Sequence, residues 1–167
     1  MRVVFTKGSD RDSIDVQRAD GTTTTTRFPK KGVIPHDAVH LIVERTLGLR
    51  NAFWGLVNAG ANPANVAQMS KDGGHASASR AGVPDPAIVE LLQAERLVEC
   101  FEADMWSEPA TFATFLSVLD AACSQSHIAA PDLSEEQIKH IRIELKQFMR
   151  HWQTLSVGQT HSLEWEQ

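Results

Sequence analysis

The chain has 167 residues, 42% hydrophobic and 22% charged, enough for one ordinary core and with no segment biased towards disorder. A net charge of −5 and a pI near 5.8 argue against non-specific nucleic-acid binding, which needs Lys and Arg to displace phosphate counterions. Nowhere do about 18 apolar residues run together, and the opening MRVVFTKGSDRD has no secretory apolar region, so the expectation is a cytoplasmic protein with neither nucleic acid nor membrane as partner.

Residues 3–6, 13–18 and 22–28 read as strands. In the second, Ile14 and Val16 alternate with Asp15 and Gln17, the period of a half-buried strand. Asp20-Gly21 is a tight-turn signal, and the threonine run 22–26 is β-branched, suiting a solvated strand. Lys30, Lys31 and Gly32 end this three-stranded meander.

After Pro35 the period turns helical. Segment 36–47 places Val39, Val43 and Leu47 on one face with Ile42 beside them, and Gly48 is placed to end it in a left-handed cap. A short apolar segment, 52–59, precedes Asn62-Pro63, a cap and first-turn pair opening a helix to about residue 71. Residues 72–84 form the longest loop candidate; its KDGGH start has the glycine content of an anion loop without the GxxxxGK[ST] order.

The central helix is expected over 86–106, with Asp85 as cap and Pro86 in the first turn. Ile88, Leu91, Leu92, Val98, Met105 and Trp106 fan over one arc, with Cys100 on the far side. A further helix is read from Ser107-Glu108-Pro109, with Phe112, Phe115, Leu116, Leu119 and Cys123 as its stripe. Ser134 with Gln137 matches a capping box for the last helix, whose His140, Glu144 and His151 are expected in water. The tail 160–166 separates Leu163 and Trp165 from His161, Glu164 and Glu166, and is expected to return as a strand beside the meander.

Strands followed by helices without βαβ alternation imply an α+β fold: one domain over 1–167, β-rich in 1–32 and helical in 35–155, its small antiparallel sheet packed on five to six helices. Cys100 and Cys123 lack ligand-like spacing, and no disulfide is expected. The central helix is apolar over most of its circumference and can face two neighbours, which admits a homo-oligomer.

Two features carry the candidate chemistry. His36-Asp37-Ala38-Val39-His40 sets two imidazoles four residues apart, close enough to share one ion. Over these five residues it resembles the HExxH zinc motif of metallopeptidases, with Asp where that family has Glu. No later His or Glu stands at the family's spacing for a third ligand, and the shorter Asp sits further from any bound water. Independently, Glu95, Glu99 and Glu102 fall within the apolar arc of the central helix, where bare carboxylates are costly. If the two helices face each other, His36 and His40 meet Glu95, Glu99 or Glu102 in a site for a divalent metal such as Zn, Mn, Fe or Ni, with Asp37 or Glu44 in a supporting or catalytic role and hydrolysis as the expected chemistry. The alternative is a non-catalytic binding or interaction protein in which the same residues form a buried hydrogen-bond network. The sequence specifies no small-molecule ligand.

Overall fold

The computed structural model describes residues 1–30, 32–72 and 83–166. Strands β1 (Arg2–Thr6), β2 (Arg11–Gln17), β3 (Thr23–Pro29) and β4 (Thr160–Glu164) form one antiparallel sheet in the order β3-β2-β1-β4. The fold is α+β, and the tail does return beside the meander. Register sets Val3 opposite Val16 and Leu163, and Phe5 opposite Ile14 and His161. Because strand side chains alternate, one face is apolar, and Val3, Phe5, Ile14 and Val16 are buried there. That register corrects the reading of the tail: residues two apart share a face, so His161 joins Leu163 on the inner side, its ring 4.9 Å from Phe148.

The helices are α1 (His36–Leu47), α2 (Phe53–Asn58), α3 (Pro63–Asp72), α4 (Val89–Trp106), α5 (Phe112–Gln125) and α6 (Glu135–Thr154), with a 3-10 turn at Pro86–Ile88. Gly48 ends α1 at φ 69°, the left-handed region that only glycine enters cheaply. The capping box at Ser134 and Gln137 is present in both directions. α6 lies on the sheet, with Phe148 edge-on to Phe5 at 5.7 Å. α1 packs against α2, α4 and α6, which makes it the hub of the helical layer. Arg18 ties the sheet to the end of α2, donating to the carbonyls of Val57 and Ala61. Among the described residues no helix is long and apolar enough to cross a membrane.

Several local expectations change. α4 packs against both α1 and α5, so Cys100 and Phe101 are buried along with Leu91 and Val98, while Trp106, past the last contact, is 70% exposed. The α5 helix begins at Phe112 under a Thr111 cap, not at Ser107. Asp104 accepts the Ala110 N–H, and Arg142 binds both Asp104 and the Ala110 carbonyl, which holds the turn out of the helix. Glu144 is drawn partly inside by Arg45 and Thr46 instead of standing in water. The loop expected over 72–84 lies, in its 73–82 stretch, outside the described residues.

Candidate metal centre

The centre forms where α1 crosses α4. Pro35 precedes the helix and its carbonyl accepts the Ala38 N–H at 2.9 Å, so His36 sits in the first turn. One turn later His40 follows on the same face, as i and i+4 must, and the two rings stand 4.9 Å apart, edge to face. α4 supplies Glu95 and Glu102, themselves two turns apart on one side.

Each imidazole is held at Nδ1 by a different carboxylate. His36 Nδ1 lies 2.8 Å from Glu102 Oε1, and His40 Nδ1 lies 3.0 Å from Glu44 Oε1. An ionised carboxylate only accepts, so each ring carries a hydrogen at Nδ1, and a protonated His40 carries a second at Nε2. The Nε2 atoms are thereby turned to the same partner, Glu95 Oε2, at 4.0 Å from His36 and 3.4 Å from His40. Donors His36, His40 and Glu95 offer one atom each, all within 4.8 Å of one another. Ligands held about 2.0–2.1 Å from a tetrahedral ion lie roughly 3.3 Å apart, so the His40–Glu95 spacing already fits and His36 must move inward to close the set.

Further groups brace this triad. Ser70 Oγ, from α3, donates to Glu95 Oε1 at 2.9 Å. Glu44 is fully buried and its second oxygen accepts the Trp54 N–H at 2.7 Å, while the Trp54 indole N–H binds the Asp37 carbonyl at 2.9 Å. Phe53 closes one side, 6.2 Å from the His40 ring. Solvent reaches the cluster at His36, whose side chain is 40% exposed, while that of His40 is only 5% exposed.

Electrostatics follow from that burial. Desolvation pushes His40 down, but hydrogen bonds and charge from Glu44 and Glu95 outweigh it and hold His40 well above the ordinary histidine value. Burial raises Glu44, against the lowering pull of His40 and of the Trp54 and Gly55 N–H groups. Burial likewise raises Asp37, opposed by His40 and His36. The pocket therefore concentrates negative charge that a proton or a cation must balance.

Of the residues singled out from the sequence, His36, His40, Glu95, Glu102 and Glu44 come together. Asp37 borders the cluster through its charge and its backbone carbonyl. Glu99 does not join it; it is turned outward and pairs with Arg96 at 2.9 Å. Ser70 was not anticipated. The sign available was its position four residues after Val66 on the buried stripe of α3, where a hydroxyl needs a partner. No known protein family, curated protein or solved structure matches this chain.

Proposed function

We propose that the chain is a metal-binding protein holding one divalent ion between His36, His40 and Glu95, with hydrolysis as the chemistry it best suits. The observation behind the reading is the pair of carboxylates at the back of the imidazoles. Glu102 and Glu44 hold both rings at Nδ1 so that both Nε2 atoms face one glutamate oxygen, the second-sphere pattern that orients histidine ligands in metal sites. Two imidazoles and one carboxylate suit Zn, Fe, Ni or Mn better than Ca or Mg. Three protein donors leave room for water, whose pKa an ion such as zinc lowers towards neutrality. Glu44, occupied by His40 and the Trp54 N–H, and Glu102, behind His36 at the solvent-exposed edge, both act as positioning residues.

A second reading rests on one further observation. With no ion, a protonated His40 donates to both Glu44 and Glu95, and the cluster is satisfied as a buried network that serves only stability or binding. Elemental analysis separates the two readings. Untagged protein purified without chelator is compared with the His36→Ala/His40→Ala double variant. About one equivalent of a transition metal in the parent and none in the folded variant supports the metal centre. A well-folded parent that stays metal-free after supplementation with Zn, Mn, Fe and Ni leaves the network reading standing.

A further inference from the structure

The sheet has two edges, and they are finished differently. At β4 the Glu164 carbonyl is taken by Arg45. Among the described residues no hydrogen bond reaches the outer backbone groups of β3. Antiparallel strands alternate between pairs that exchange hydrogen bonds and pairs that do not, and the phase is set here by Arg18, whose N–H donates to the Thr22 carbonyl at 2.9 Å. Counting by two along the register, Thr24, Thr26 and Phe28 bond to β2, so Thr23, Thr25 and Arg27 turn both N–H and C=O away from the sheet. Pro29 follows in that outward series, where a missing N–H breaks no ladder bond.

Natural edges are blunted by bulges, lysines, inward charges or shortness, and β3 has little of this. It pairs with β2 over seven residues without a bulge, and its single charge, Arg27, stands near one end. Cover of the inner face also thins there: Ile14 and Val16 are buried, but Thr24, Thr26 and Phe28 are only half-buried. The three outward residues are evenly spaced about Thr25, which makes the edge its own complement. Turned about a two-fold axis at Thr25, a second copy sets Thr25 opposite Thr25 and Thr23 opposite Arg27 on both sides, each pair exchanging two backbone bonds. No like charges stand opposite one another, and Pro29 falls just past the paired segment. One register thus closes two open edges at once, which an unrelated extended peptide does not do. We propose that β3 is a dimer edge, joining two copies of this chain antiparallel through residues 23–27 into one continuous sheet.

Sedimentation velocity on the full chain tests this. Pairing along one edge buries less than a standard interface, so a weak dimer is expected, with the mass rising from monomer towards dimer between about 5 and 500 μM. Thr25→Pro removes an outward N–H that the ladder with β2 does not use, and is expected to stay monomeric throughout with an unchanged circular dichroism spectrum. Two exposed substitutions read the register independently of that variant's folding. Thr23→Glu sets a carboxylate opposite Arg27 of the second copy, twice per dimer, and tightens association about tenfold, whereas Thr23→Lys loosens it about tenfold. Within one strand positions 23 and 27 are about 13 Å apart, too far to pair, and net charge alone gives the reverse order in an acidic chain. A chain that stays monomeric to about 500 μM overturns the proposal. So do a dimer that folded Thr25→Pro retains, association that continues past the dimer, and Thr23→Glu and Thr23→Lys dimers of equal or reversed strength.

Discussion

Among the described residues two pairs of imidazoles touch, and they are opposites. His36 and His40 stand 4.9 Å apart at the α1–α4 crossing, and His151 and His161 stand 4.5 Å apart where α6 meets β4. The first pair is backed by Glu44, Glu95 and Glu102. The second leans on Phe148 and has no carboxylate partner among the described residues, because Glu144 beside it is taken by Arg45 and Thr46. Carboxylates hold His40 well above the ordinary value, whereas burial and the neighbouring His151 push His161 below it. Proximity of two histidines thus says little by itself. What stands behind each ring decides whether the pair gathers positive charge or avoids it.

The most direct way to break this contrast is to remove the support of the first pair. Replacing Glu44 by Leu strands the Trp54 N–H and leaves His40 without its Nδ1 acceptor inside the core, and urea denaturation is expected to show a loss of about 3–5 kcal/mol. Glu44→Gln still accepts a hydrogen bond and is expected to lose clearly less. Equal losses for Leu and Gln would show that the charge of Glu44, and not its hydrogen-bond acceptance, carries its contribution. The second test sharpens the comparison by metal. At an ion concentration one hundred times Kd, binding stabilises the fold by about 2.7 kcal/mol, an effect that EDTA reverses. His40→Ala is expected to eliminate it. His151→Ala and His161→Ala are expected to leave it intact, and a loss of metal-dependent stability in either would dissolve the distinction between the pairs.

The pairs also predict opposite slopes of stability against pH in the metal-free protein. His40 is raised in the folded state, so its contribution is fully present below the ordinary value of 6.5 and is lost as pH rises through the folded value. His161 is lowered, so its contribution is present above 6.5 and is lost as pH falls through the folded value. His161→Gln is therefore expected to flatten the acid limb of a stability–pH profile, and His40→Gln the limb above neutrality. A His161→Gln profile that still falls as steeply between pH 6.5 and 5 would assign that limb to other groups.

Much of this was legible in residue order. The strand alternation around Ile14, the Gly48 cap and the Ser134–Gln137 box act within a few residues, so local spacing reveals them. The meeting of His36 and His40 with Glu95 and Glu102 was legible for a different reason: polar groups on apolar faces of two helices must find one another or lose solvation. What was not legible depended on which neighbours each helix acquires. Phe101 and Cys100 are buried because α4 has α5 on its second side, and Glu99 turns to Arg96 because that side of α4 meets neither imidazole. The start of α5 lies beyond Pro109, which looks like a first-turn proline, because Asp104 and the distant Arg142 hold that turn open. Helical periodicity gives a face and not its occupant.

Ser70 offers the smallest and most discriminating of the tests. Its hydroxyl donates to the Glu95 oxygen that does not face the imidazoles, so removing it leaves the imidazole-facing oxygen in place while loosening the carboxylate. A buried hydrogen bond of this kind contributes about 1 kcal/mol, and Ser70→Ala is expected to lower stability by that amount in the metal-free protein. If Glu95 is a metal ligand, a freer carboxylate also weakens metal affinity, by the 10- to 100-fold typical of lost outer-sphere support. If the cluster is only a structural network, the stability change is the whole effect and supplemented metal makes no difference to it. Paired melting curves with and without zinc on this single variant read both quantities, and a Ser70→Ala protein that binds zinc as tightly as the parent would show that Glu95 is not held for coordination by α3.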